Sequence, residues 1–177
     1  MVAVVIVAVL AAVAFIAYGR WVKRGRITEG KTFVSIIMSR QETYFQQFGQ
    51  YCDAGASGAH PTIASGSEPV AKKWSPGSSS SWVDLAVKPP KGYSYFSYDV
   101  RASAPPKHAL YGEASGAPNM RITAQPTAAG TTPHPWYYIS ALADLDGDGG
   151  TCSGSTPACT DVRSSSARQM YVLNEGE

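Results

Sequence analysis

The hydrophobic pattern of this chain changes twice, and each change marks a different kind of element. Residues 1–18, "MVAVVIVAVLAAVAFIAY", are apolar on every side and carry no charge. As a helix at 1.5 Å per residue they span about 27 Å, close to the roughly 30 Å hydrocarbon core of a bilayer. Beyond them the pattern becomes one-sided. Val34, Ile37, Met38, Tyr44, Phe45 and Phe48 recur at the 3.6-residue period, and Gln41 alone interrupts the stripe. Proline is absent from residues 1–60. Gly19, Gly25 and Gly30 each cost a helix about 1 kcal/mol against alanine without breaking it. The spacing predicts one continuous helix of about 50 residues, roughly 75 Å long.

Residues 53–81 lose all periodicity and are rich in Gly, Ser and Pro, as a loop region is. The four consecutive serines, Ser78–Ser81, read as a flexible surface tip, plain or O-modified. The period then becomes two. "YFSYDVRA" sets Phe96, Tyr98, Val100 and Ala102 against Ser97, Asp99 and Arg101. "MRITA" (120–124), "PWYYISALAD" (135–144) and "RQMYVLNE" (168–175) complete four expected strands. The expected fold class is α+β: a long N-terminal helix whose C-terminal half covers a four-stranded antiparallel sheet. The division is 1–26 (apolar half and basic flank), 27–52 (amphipathic half), 53–81 (loop) and 82–177 (sheet headgroup).

Charge adds an orientation problem. The net charge is +2, too small to suggest nucleic acid, but Arg20, Lys23, Arg24 and Arg26 follow directly after the apolar run. A secretory signal peptide carries its positive charge before the apolar core. An ordinary signal anchor with this flank would leave the remainder in the cytoplasm. The third reading is a basic leader upstream of Met1. The patch itself suits anionic headgroups, acidic groups on neighbouring subunits, or a plain solvated helix face. Tyr18 and Trp21 suit a membrane interface, and the later helix aromatics suit contact with the sheet rather than an electron-transfer path.

Cys152 and Cys159 bracket "SGSTPA", which reads most simply as a disulfide loop in an oxidising compartment. Free buried thiols are the competing reading, and Cys52 is a further possible partner. His60, His108 and His134 are scattered, which disfavours a zinc site. "DLDGDGG" places Asp144, Asp146 and Asp148 at the first, third and fifth positions of a Ca²⁺ loop, with Gly149 sixth. The twelfth position is Ser155 rather than glutamate, and Asp161 replaces it only if the cysteine loop folds back. An exposed Asp-Gly hairpin turn without metal is the other reading. No cofactor is required, and no catalytic motif occurs: there is no GxSxG, HExxH or phosphate-binding glycine loop. The expectation is that the chain is not an enzyme.

The first 51 residues resemble the N-terminal helix of the type IV pilin family. "LAA", "AY", the basic patch, the "EG" pair and "YFQQFGQY" carry the likeness, and "WVDLAVKPPKGYSYFSYDV" and "ALADLDGDGG" are similar to headgroup segments. The resemblance implies a prepilin with a basic leader, cut by prepilin peptidase and N-methylated. It further implies an inner-membrane stage, handling by the pilus assembly machinery, and export into a periplasmic or extracellular filament serving adhesion, motility or surface interaction. On this reading the sequence begins inside the helix, after the leader, the cleavage site and a glutamate that the family places there. Val4, Val5, Ala8, Leu10, Ala11, Ala12, Phe15 and Ile16 would form the membrane segment and then the filament core. Ala3, Ala14 and Ala17 would add to close helix approach. Many major pilins have Gly and Pro where Ala8 and Ile16 stand, so the resemblance implies an unbroken helix here, leaning toward a minor pilin or a type II secretion pseudopilin. The expected partners are copies of the chain or related pilins. A single-pass anchored binding domain that never polymerises is the alternative from another class.

Overall fold

The computed structural model describes residues 2–62, 70–102, 135–145, 159–166 and 170–173, with the backbone alone at 15–17, 56, 57 and 173. A single helix, α1 (Val2–Phe48), runs 47 residues, about 70 Å. It stops at Gly49, whose φ of +67° suits glycine and whose N–H donates to Phe45 O at 2.8 Å, a left-handed C-cap. Burial begins only at Ile27 and follows the helical period through Gly30, Phe33, Val34, Ile37 and Gln41. Gly30 is a contact point: a Cβ there would lie 2.8 Å from the Phe96 ring.

After α1 come a short 3-10 turn (Ala54–Ser57), β1 (Lys72–Lys73), α2 (Ser81–Asp84) and β2 (Tyr93–Ser94), which pairs antiparallel with β1. The main sheet comprises β3 (Ser97–Ala102), β4 (Tyr137–Ala143), β5 (Thr160–Ser165) and β6 (Met170–Leu173), antiparallel in that order. The register aligns Tyr98, Ala141, Val162 and Val172 in one row and Val100, Ile139, Ser164 and Met170 in the next. Side chains alternate along a strand, so these rows share one face. Val162, Ile139 and Tyr98 join the core with Phe33, Val34 and Ile37 of α1, and Ser164 Oγ meets Met38 Sδ at 3.0 Å. The α+β fold of a long helix on a four-stranded antiparallel sheet is therefore present.

Three of the expected strands coincide with β3, β4 and β6, while "MRITA" lies outside the described residues. The remaining strand of the sheet is Thr160–Ser165, "TDVRSS", which the apolar pattern does not reveal. Val162 is its one large apolar residue, yet all six residues are buried. The stretch 53–81 also holds more structure than its composition suggests. Ser80 is the N-cap of α2, its Oγ accepting from Trp82 N at 3.3 Å, and so belongs to an element rather than a free tip. Trp82 is buried, and its indole N–H donates to Gly58 O at 3.2 Å. Trp74 sits edge-on to Phe33 (5.2 Å), Trp82 (5.4 Å) and His60 (4.7 Å).

Gln41, the break in the apolar stripe, is fully buried and fastens the chain that leaves the helix. Its Nε2 donates to Cys52 O at 2.7 Å and its Oε1 accepts from Cys52 N at 2.9 Å. One side chain thus satisfies both backbone groups of a buried residue. Gln41→Leu keeps the volume and strands both groups, at about 1–3 kcal/mol each. The expected outcome is an earlier urea transition, with about 2–6 kcal/mol of stability lost. A change under 0.5 kcal/mol would show that the two bonds are not what holds Cys52 in place.

His60 extends the sheet edge, exchanging two backbone bonds with Tyr98 (2.8 and 2.9 Å). Its Nε2 accepts from Ser75 N at 3.1 Å, which requires an unprotonated nitrogen, and burial lowers its pKa below the ordinary 6.5. The unfolded chain therefore takes up a proton on His60 before the folded chain does. Stability from this residue is present above pH 6.5, declines as pH falls toward the lowered value, and declines no further below it. Chemical denaturation between pH 7.5 and 5 should show that slope, and His60→Gln, which keeps an acceptor but does not titrate, should flatten it. Identical slopes in the two proteins would refute the assignment.

Candidate functional site

Among the described residues, the N-terminal half of α1 meets no other element and forms the most unusual surface. Every side chain described from Val2 to Ala14 is exposed, all round the helix. Val2, Val4, Val5, Ile6, Val7, Val9, Leu10 and Val13 are 55–75% exposed. Burying such a side chain is worth about 1.5–3 kcal/mol, so the eight together hold on the order of 10 kcal/mol, comparable to the stability of a whole domain. A helix that is apolar on all faces needs lipid or several neighbouring helices around it. This one is long and apolar enough to cross a membrane.

Val4, Val5, Ala8, Leu10, Ala11 and Ala12 lie on this exposed surface. Phe15 and Ile16 lie on the helix backbone, their side chains outside the described residues. Continuity through position 16 accords with isoleucine there rather than a helix-breaking proline. The apolar stretch closes with Tyr18 and Trp21, both largely exposed, their ring centroids 6.3 Å apart.

The four basic residues form a collar between this segment and the first buried residue, Ile27. Arg20 and Arg24 are exposed, and Lys23 and Arg26 half-buried. Arg26 places its guanidinium 4.5 Å from the centre of the Tyr95 ring. One turn on, Glu29 Oε2 lies 3.7 Å from Lys91 Nζ. These two contacts seat the head of the protein directly beside the collar. Lys91 and its neighbour Lys88 escaped the motif reading. Their one sequence signal is the lysine pair around Pro89 and Pro90 in "KPPK".

The aspartate run is only partly in view. Asp144 follows β4 and is buried, as is Leu145, so this carboxylate does not sit on the exposed turn that the sequence suggests. Asp146 and Asp148 lie outside the described residues. Among the described residues no group of three or more His, Cys, Asp and Glu side chains is placed to hold a metal. Asp161 is committed elsewhere: it forms a buried ion pair with Arg163 and accepts from Ser140 Oγ at 3.2 Å. Burial pushes its carboxyl pKa up, and Arg163 and Ser140 pull it back.

Cys159 is disulfide-bonded, while Cys52 is a free, buried thiol. Cys52 is therefore not the partner of Cys159, and Cys152 lies outside the described residues. Burial and the nearby carboxylates of Asp84 and Asp53 push the Cys52 thiol up to about 11, which makes it a poor nucleophile.

The class these features define is an α+β protein with an apolar N-terminal helix and an antiparallel head, compatible with a pilin-like fold. Searches against protein-family models, curated proteins and solved structures find no match.

Proposed function

We propose that this chain is a structural subunit of a type IV pilus-like filament, with a mechanical rather than a catalytic role. The observation that carries the reading is one unbroken helix with two environments: an apolar half whose described side chains are exposed on all sides and an amphipathic half built into an antiparallel sheet. Before assembly, the apolar half anchors the subunit in the inner membrane and the collar meets the headgroups. In the filament, the same half packs against copies of itself or of related pilins, where Ala8, Ala11 and Ala12 permit close approach of backbones. The disulfide at Cys159 suits a head exposed outside the cytoplasm.

The deciding experiment takes the native protein from cell membranes and from sheared surface filaments and determines its N-terminus and intact mass. A processed, N-methylated terminus and presence in the filament fraction are expected. An unprocessed terminus, together with absence from the filaments, would leave a single-pass anchored domain and end the pilin reading.

A further inference from the structure

We propose that the lysine cleft at the collar end of the head binds the phosphate of an anionic lipid headgroup while the apolar half of α1 lies in the bilayer. The proposal rests on the membrane-anchored stage of the function above. The cleft has a volume of about 690 Å³ and is lined by Lys73, Lys88, Lys91, Trp74, Tyr93 and Tyr95.

Its frame is rigid. Gly92, at φ +73°, donates from its N–H to Pro89 O at 2.9 Å and accepts from Trp74 N at 2.9 Å, locking the Pro-Pro turn onto β1. Lys88 lies along this turn, its Cε 3.7 Å from where a Cβ on Gly92 would stand. The lysines are thus presented by fixed backbone.

The charge is unbalanced. Lys73 and Lys88 form no ion pair among the described residues, and the exposed Lys91 has only the 3.7 Å contact to Glu29. With Arg26 on the Tyr95 ring, four cations face one carboxylate among the described residues. Clustered lysines beside a membrane helix attract anionic lipids, each contributing about fivefold in binding.

Position selects the ligand. Tyr95 and Lys91 touch α1 at Arg26 and Glu29, within the first turns beyond the collar. Arg26 stands about 12 Å along the axis from Tyr18, where the apolar run ends. The headgroup layer is roughly 5–8 Å deep on each side of the hydrocarbon core. The cleft therefore stands just outside the headgroup layer, where the flexible lysine stems reach back to lipid phosphates. A sugar ligand would want aromatic faces to stack on. Trp74 is buried among other rings and Tyr95 is occupied by Arg26, which leaves Tyr93 alone.

The test reconstitutes the full chain in nanodiscs of phosphatidylcholine, with and without about 30% phosphatidylglycerol, and maps lysine acetylation rates by mass spectrometry. A parallel sample in neutral detergent receives millimolar inorganic phosphate. The expected result is slowing of acetylation at Lys73, Lys88 and Lys91, relative to Lys31, in the anionic discs alone. Lys88→Gln, a surface change, should then release Lys73 and Lys91 from protection by about fivefold. Equal rates in both kinds of disc would overturn the cleft while leaving the anchor standing. Equal protection by inorganic phosphate in detergent would overturn the lipid as the source and assign the cleft to a soluble phosphate. Failure to enter either disc would overturn the anchored reading, and this proposal with it.

Discussion

Arginine at both Val7 and Leu10 should release the protein from membranes. An arginine near the centre of a membrane helix costs about 2.5–3.5 kcal/mol on insertion scales, so the pair costs about 5–7 kcal/mol, a factor of several thousand or more in partition. Wild-type protein should stay with the membrane pellet through an alkaline carbonate wash, and the double variant should move to the supernatant. Neither side chain touches the head: both stand bare on the helix, far from the first buried residue at Ile27. The head should therefore remain folded, with an unchanged urea transition. Val83→Arg, at an exposed valine on α2, serves as the reference and should leave the distribution unaltered. If the double variant pelleted like wild type, residues 2–19 would not be what holds the protein in the membrane.

The second large effect belongs to the polar strand. Arg163→Met should cost about 3–5 kcal/mol, because it leaves the Asp161 carboxylate buried without its cation. Two further results separate this cause from simple loss of packing. Asp161→Leu combined with Arg163→Met should recover most of the loss, since a buried pair replaced by apolar side chains is often neutral. The pH dependence has a definite sign. Without Arg163 the buried carboxyl titrates further above its ordinary 3.8, so the folded state favours the protonated acid. Its stability is then retained below 3.8 and lost as pH rises through the raised value, and the deficit of Arg163→Met should narrow in acid. A deficit constant from pH 3 to 7 would place the cause in packing alone.

The long helix was legible because its signal is redundant. Proline is absent, the period is sustained and every reading of 34–48 agrees. Strand β3 was legible for the same reason, with Tyr98, Val100 and Ala102 at alternate positions turned to the core. Strand β5 was not, because its burial is achieved by partners that no local pattern displays. Asp161 and Arg163 neutralise each other two residues apart, and Ser164 reaches Met38 across 126 residues of sequence. Gln41 shows the same limit: a buried polar residue is intelligible only once Cys52 stands opposite it. The apolar half of the candidate site was visible from composition. The lysine cleft was not, since it forms where β1 and the Pro-Pro turn are brought together by Gly92, Trp74 and the β1–β2 pairing.

The continuity of α1 has a consequence for how the molecule bears load. A pull on the bare half reaches the head along one hydrogen-bonded rod, with no proline or loop between to act as a joint. The tension is delivered as shear along the ridge from Ile27 to Gln41, so many contacts resist at once rather than one at a time. At the far end, the two bonds from Gln41 to Cys52 tie the departing chain back to the rod, closing the path where peeling would begin. Any pull on the bare half is thus shared over four turns of helix.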